Sequence, residues 1–450
     1  MLNNNNNLLF LELNEINFDI VRKYIESNLN LNNFKKIFSF KNINTVSEEN
    51  YEEIEPWIQW HSVHTGLSFS EHKIFRLGDG INCKQKGIYK EIEELGYSVG
   101  AISPMNLKNN LSNPMFYIPD PWTETISDKS WWSHKIHQIL YQAVNDNASS
   151  KINFDNIFYL LLALIKFGKI KNYFNYFYLA FTSLFGKTWR KALFLDLFLS
   201  DVALFNIKKY KPSYASLFLN GGAHIQHHYF FNSKMINKPK NPSWYVNSYD
   251  DPVLEMLKIY DRILGHILKL KIPFILATGM SQTINEDKEY YYRLKDHEEF
   301  LKLVNIKFKE VRTRMSRDFE VLFNSNNERD IALNLLSSLE DDKTGERLFE
   351  EIEIRNNSLF VALTFSREIK NNTNFKINNK KINLFDKVVF VAIKNGKHQS
   401  KGFAFFSENI DSFMPKNNSH VKKLYNSIMN YFLESKKTNS NVYGENFLNN

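Results

Sequence analysis

Three histidines, His224, His227 and His228, fall within five positions of one another, directly after the apolar run Tyr214 to Leu219. Imidazole changes charge near neutral pH and, when neutral, binds transition metals, so such a cluster suits proton transfer or metal ligation. An apolar run that ends in a polar turn reads as a buried strand reaching the carboxyl edge of an α/β sheet, where such chemistry usually sits. His224 and His228 are four apart, so on a helical turn both point one way and could share an ion. A catalytic zinc site takes three protein ligands and leaves one position open. His398, in the glycine-containing stretch Asn395 to Gly402, is the candidate for the third. His227, between the pair, is a candidate acid/base group. The competing reading is surface histidines, because twelve in one chain cluster by chance.

Two other segments carry candidate groups. Glu55-Pro-Trp-Ile-Gln-Trp-His-Ser-Val-His-Thr-Gly66 reads as a helix, with Glu55 at the cap, Pro56 in the first turn and Gly66 as the stop. A helix start offers free N–H groups to an anion. Glu55 and His61 are candidate catalytic groups, and Trp57 and Gln59 candidate substrate contacts, although tryptophan on a helix is more often core. Asn14 and Glu15 follow the first apolar run, Leu8 to Leu13, and enter as a catalytic and a substrate-contacting candidate on position; Asn is also an ordinary turn residue. Gln282 closes the turn Thr278 to Gln282 after the apolar stretch Pro273 to Ala277 and is a further substrate-contacting candidate.

The elements that must position these groups follow from the hydrophobic pattern. Leu8–Leu13 reads as a strand, Phe18 to Leu29 as a helix, Lys90 to Leu95 and Tyr97 to Ile102 as helix then strand, and Asp251 to Leu270 as a helix with a clear apolar stripe. Strand and helix alternate, so the expected class is α/β: a central, mostly parallel sheet flanked by helices, with a helical insertion and a small additional subdomain. The expected divisions are 1–121 for the first part of the core, 122–210 for an aromatic helical insertion, 211–283 for the core with the histidine cluster, 284–385 for the subdomain, and 386–450 for the return to the core. In that last part, Val388 to Ile393 reads as a core strand, 395–402 as a loop and Phe403 to Phe406 as a further strand.

Composition narrows the classes. The chain has 450 residues, 43% of them hydrophobic and 15% aromatic, enough for a sizeable core. A single cysteine, Cys83, excludes an internal disulfide and a cysteine-based zinc site. No signal-like segment and no run of about 18 apolar residues is visible, so a cytoplasmic setting is expected. The net charge of +8 is modest, and no basic stripe or nucleic-acid module appears, so no nucleic-acid partner is expected. The apolar, lysine-interrupted segment 155–190 could lie in a membrane interface at the inner face of the membrane, or pack on the core. No oligomeric state follows from the sequence.

The order of these parts resembles the alkaline phosphatase superfamily, in the branch of type I phosphodiesterases, nucleotide pyrophosphatases and sulfatase-like enzymes. Leu8 to Asn14 is similar to its first metal-binding strand, Ser62-Val-His-Thr-Gly66 to its nucleophile segment, and Ala223 to His228 to its central histidine motif. Thr278 to Gln282 and His398-Gln-Ser-Lys-Gly402 are similar to its last two motifs. Asn14 stands where that family has Asp, His224 replaces an Asp ligand, and Gly279 and Met280 replace an Asp-His pair; Glu55 and Pro56 lie near the nucleophile position. The resemblance implies an alkaline-phosphatase-like fold and the loss of one of two metal sites. The survivor would be held by His224, His228 and His398, with zinc first and manganese second as its divalent ion.

The function expected on this basis is metal-dependent hydrolysis or transfer at a phosphate- or sulfate-type ester or related anionic group. The substrate would be a glycan or lipid-linked glycan of surface-polysaccharide metabolism, and Glu55 the general base or, second, a carboxylate nucleophile. The alternative is a non-hydrolytic glycan-binding or glycosyl-transferring protein on the same fold without two-metal chemistry.

Overall fold

The computed structural model describes residues 7–145, 154–313, 317–377 and 380–448. Residues 146–153, inside the expected helical insertion, lie outside the described set. Two compact units emerge: one formed by 1–141, 152–284 and 396–450, the other chiefly by 285–395. The helical segment 122–210 falls largely within the first unit.

The first unit is built on an eight-stranded sheet. Its strands are β1 (Leu8–Leu13), β2 (Lys41–Val46), β3 (Val99–Ile102), β4 (Phe116–Ile118), β5 (Tyr214–Leu219), β6 (Phe274–Ala277), β7 (Lys401–Phe406) and β8 (Ser419–His420). In space they run β8-β2-β7-β6-β1-β5-β3-β4. β1 lies at the centre, parallel to both β5 and β6, and β5 continues in parallel through β3 to β4. Only β7 runs against its neighbours, β6 and β2.

β1 is apolar at every position but Glu12, as suits a parallel sheet covered by helices on both faces. Leu9, Leu11 and Leu13 enter a core with the helices α1 (Phe18–Glu26), α3 (Arg190–Tyr210) and α5 (Pro252–Leu268), and Leu8 and Phe10 enter the core on the other face. The two-residue alternation of a strand places Glu12 on the second face too. That face carries α2 (Pro56–Thr65), and Glu12 Oε2 lies 3.1 Å from His64 Nε2 of that helix, both side chains fully buried.

The ends of α2 fall where the sequence places them. Glu55 is the cap residue with extended backbone, Pro56 opens the helix, and Gly66 closes it at φ +73. Nine of its ten residues are buried, so its polar side chains must find partners inside. Trp60 Nε1 donates to Asn14 Oδ1 at 2.7 Å, Gln59 Nε2 to the Glu53 carbonyl at 2.9 Å, and His61 Nδ1 to the Asn106 carbonyl at 3.1 Å. The Ile74 N–H donates to His72 Nδ1, so His72 turns its protonated Nε2 toward Ser62 Oγ at 3.1 Å. Ties in several directions fix the rotation of α2 and hold Glu55 at the sheet edge.

Residues 285–395 have their own core, around Phe300, Phe319, Val321, Leu336, Leu359 and Phe375. A four-stranded antiparallel sheet orders Ile352–Arg355, Ser358–Ala362, Asp318–Leu322 and Glu310–Thr313. The chain leaves the first unit along the strand Ser281–Leu294 and returns along Val388–Gln399, and these two strands pair with each other. This corrects two readings. Val388 to Ile393 is no core strand but part of this ribbon, and its alternating exposure fits a two-stranded element rather than a buried sheet. His398 sits near the end of the returning strand, not in a loop.

The buried histidines of α2 and its neighbour predict acid sensitivity. Burial pushes His61 down to about 4 and His72 to about 3. An unfolded histidine takes up its proton near pH 6.5. The unfolded chain therefore binds more protons than the folded one between those values, and stability falls as pH drops below about 6.5. Unfolding free energy measured from about pH 6.5 to about pH 4 should decline, with a shallower slope in His61→Asn and His72→Asn. An unchanged slope in both variants would contradict their burial as neutral rings.

Candidate functional site

The site forms where β1 and β5 end. After Leu13 the chain turns sharply through Asn14 and Glu15, and Glu15 adopts φ +60, a region that costs a non-glycine residue free energy. Its N–H donates to the Thr278 carbonyl and the Asn14 N–H to the Leu219 carbonyl, so this turn is tied to the strand ends on both sides. The Glu15 side chain is buried, and its oxygens accept from Asn14 Nδ2 at 2.9 Å and Gln282 Nε2 at 2.5 Å.

Beyond β5, Asn220 leads into the helix α4 (Gly221–Tyr229) that carries the histidines. The buried Asp196 carboxylate accepts from the Gly221 N–H at 2.8 Å and from Tyr260 Oη at 2.5 Å, while Tyr260 Oη accepts from the Gly222 N–H. Glycine at 222 leaves room for Ile16: a Cβ there would lie 2.1 Å from Ile16 Cδ1, so that side chain would have to move. The start of α4 is thus pressed against the turn that holds Glu15.

Successive helical residues turn by about 100°, and this decides which histidine enters the site. Gln226 Nε2 donates to the Glu15 carbonyl at 2.8 Å and Gln282 Nε2 approaches the Ala223 carbonyl at 3.2 Å, so the face bearing Ala223, Gln226 and His227 looks toward Glu15. His227 Nε2 lies 3.1 Å from Glu15 Oε2, and His398 Nε2 reaches the same oxygen at 3.3 Å. The two imidazole nitrogens are 3.2 Å apart. Among the described residues this is the one group of three such side chains with metal-ligand spacing.

The expected trio of His224, His228 and His398 is therefore corrected. His398 meets His227 and Glu15, while the rings of His224 and His228 pair with each other at 5.0 Å on the adjoining face of α4. Burial first, and His227 second, push His224 down to about 4. The i, i+4 rule identified two rings that share a face, but the donor group around Glu15 takes its helical member from the neighbouring position, His227.

Geometry and charge in the triangle agree. Burial alone would raise the Glu15 carboxyl, but His227 and His398 outweigh it and hold that carboxyl far below the usual range. Burial pulls His398 down, but Glu15, and behind it Glu55, raise its pKa above the ordinary value. Glu55 Oε2 stands 3.5 Å from His398 Nδ1, so one imidazole lies between two carboxylates. Side-chain exposure rises from 2% at Glu15 to 13% at His398, 28% at Glu55 and 29% at His227, which places the opening on the Glu55–His227 side.

The donor set fits a divalent ion. Bonds of about 2.0–2.1 Å to a tetrahedral zinc place neighbouring donor atoms about 3.3 Å apart, close to the three separations here. Two imidazole nitrogens and a carboxylate oxygen converging this closely need a proton or a cation between them. Asn14 and Gln282 hold Glu15, and Glu55 faces the Nδ1 of His398, as outer partners do in metal sites.

The remaining candidates have other duties. Asn14 is committed to Trp60, Asn220 and Glu15, so it positions the carboxylate. Gln282 is fully buried and braces Glu15 rather than facing a ligand. Gln59 and His61 are buried and bonded to the Glu53 and Asn106 carbonyls, and Trp57 Nε1 donates to the Phe75 carbonyl. Sequence reasoning missed Asn17, Gln226 and Asp196. Gln226 accepts from the Asn17 N–H at 3.0 Å and fixes the site's floor; its place between two histidines was the available signal.

No protein-family model matches the chain, and no curated protein matches its sequence. Solved structures do. The chain is similar to phosphonoacetate hydrolase from Sinorhizobium meliloti 1021, with a TM-score of 0.42 and 9% identity over 94% of this chain and 95% of that one. It is similar to murine ectonucleotide pyrophosphatase/phosphodiesterase 5, with a TM-score of 0.42 and 12% identity over 95% of each chain. A variant of TAB5 alkaline phosphatase with magnesium bound gives a TM-score of 0.40 and 8% identity over 96% of this chain and 98% of that one.

Proposed function

We propose that this protein is a hydrolase or transferase dependent on a divalent ion, acting on a phosphate- or sulfate-type ester or a related anionic group. The triangle of Glu15 Oε2, His227 Nε2 and His398 Nε2, three donors within 3.3 Å of one another, carries this reading. Zinc is the first choice of ion and manganese the second, because two imidazoles and one carboxylate suit both. When bound, the ion would polarise an ester oxygen or lower the pKa of a water.

The protein's own groups divide the remaining work. Glu15, locked by Asn14 and Gln282, holds its negative charge toward the two imidazoles. Glu55, at the open rim, accepts the proton from an incoming hydroxyl or water, and His398 beside it steadies the carboxylate between turnovers. The start of α2 lies next to Glu55 and favours the anionic end of a substrate. A glycan or lipid-linked glycan of surface-polysaccharide metabolism is the proposed substrate class, supported by the aromatic residues on the first unit.

One observation favours a second reading, a glycan-binding or glycosyl-transferring protein that works without metal. His398, lying between Glu15 and Glu55, is a self-sufficient acid/base group in the metal-free protein.

Metal analysis separates the two. Purified protein should hold about one zinc or manganese per chain, and Glu15→Gln, His227→Ala and His398→Ala should each bind it at least about tenfold more weakly. His224→Ala and His228→Ala should keep it. Loss in these last two with retention in His227→Ala would place the ion elsewhere, and metal-free active protein would favour the second reading. Because His398 holds its proton above the ordinary range, binding must displace that proton, and affinity should rise with pH through and beyond about 6.5.

Glu55→Gln should retain the metal while kcat on a panel of phosphate and sulfate esters falls by about 10²–10⁴ with little change in KM. Undiminished turnover would remove Glu55 as the base.

A further inference from the structure

The helices Phe154–Phe167 and Tyr173–Ser183 both have a face they do not use inside the protein. Each packs inward through apolar residues: Ala163 and Phe167 on the first, Tyr176 and Leu179 on the second. A surface helix of a water-soluble protein is polar on the opposite side. Here the opposite side is apolar. Phe158, Leu161 and Ile165 on the first helix, and Phe174, Phe177 and Phe181 on the second, point outward, with Ile165, Phe174 and Phe177 exposed by 73%, 77% and 68%. Their spacings, three, four and seven, are those of one helical stripe. Scattered exposed apolar residues need no explanation, but stripes of this density mark an interaction surface.

The charge around the stripes identifies the occupant. Between residues 155 and 191 the chain has one acidic residue, Asp155, against six basic ones; Lys169, Lys187 and Arg190 pair with Asp201, Asp250 and Glu255, and Lys166, Lys171 and Lys191 remain beside the stripes. More basic groups gather where the two helices meet. Lys208 and Lys269 crowd Lys169, Lys209 crowds Lys166, and Arg262 Nη1 reaches the Lys171 carbonyl at 3.5 Å. Burial, with those neighbouring lysines, lowers the Lys169 ammonium to about 8 even beside Asp201, which raises it. A contact between two copies of this chain would juxtapose these like charges, and the cores of protein interfaces are depleted in lysine. Phenylalanine, tyrosine and isoleucine bordered by lysine match the boundary between headgroups and acyl chains of an anionic bilayer. No helix among the described residues is long and apolar enough to cross a membrane, so the contact would lie along the surface.

We infer that the outward faces of helices Phe154–Phe167 and Tyr173–Ser183 form a docking surface for an anionic lipid bilayer. This surface connects to the candidate site through packed residues. Just beyond the second helix, the Trp189 ring packs on Tyr229 of the histidine helix at 5.3 Å and Thr188 Oγ1 lies 3.0 Å from Tyr229 Oη. An ester carried on a lipid would therefore be held on the same unit as Glu15, His227 and His398. The docking itself does not depend on what the site does.

Full-length protein should sediment with vesicles of phosphatidylglycerol and phosphatidylcholine, far less with phosphatidylcholine alone, and less as salt is raised. Phe174→Glu/Phe177→Glu should cut the partition coefficient at least tenfold while leaving the melting temperature and metal content unchanged. Lys171→Glu/Lys191→Glu should reduce binding and its salt dependence together. The proposal is overturned if the native protein stays in the supernatant with both vesicle types, or if these variants sediment as well as the native chain. It is equally overturned if the native protein is a dimer in lipid-free buffer that Phe174→Glu/Phe177→Glu turns into monomer without changing sedimentation. His227→Ala should sediment normally, which separates failure of the site from failure of the surface.

Discussion

Everything at the sheet edge depends on one buried carboxylate. Glu15 has left water entirely, which is costly unless positive charge or hydrogen-bond donors replace what water supplied. Two imidazoles and two side-chain amides do so. The requirement explains features that otherwise look unrelated: a glutamate in left-handed backbone geometry, a tryptophan indole fixing the neighbouring asparagine, and glycine at 222 so that a helix can press against the turn. Each keeps a charged oxygen at the same point in space.

The scaffold was readable in the chain because it rests on short-range patterns. Tyr214–Leu219 is a strand with the expected ends, and Pro56 and Gly66 bound their helix as the cap rules require. Strand, turn and helix alternate along the chain as a parallel sheet demands. Patterns of that kind are local, and local sequence carries them.

The chemistry was less readable because it depends on rotation and on distance along the chain. His224 and His228 satisfy the spacing rule for a shared ligand, yet only the direction of α4 against the first turn decides that His227 is the one pointing inward. Glu15 was visible as a turn residue, but its standing as an anchor appears only when residues 227, 282 and 398 close around it. His398 looked like part of a glycine loop, and Val388 to Ile393 like a core strand. Both belong to a returning strand whose partner lies about a hundred residues earlier, which no local pattern reveals.

That return strand sets the order in which the molecule can become whole. Glu15 is made first and His227 midway, but His398 follows only after the 285–395 excursion has been synthesised. Domains generally fold as units while the chain emerges, so a ribosome-bound precursor could shape much of the sheet and still lack the third donor. Completion of the three-donor group is thereby coupled to synthesis of the 285–395 excursion, and a fragment released before residue 398 would lack both the third donor and the strand β7 that joins β2 to β6.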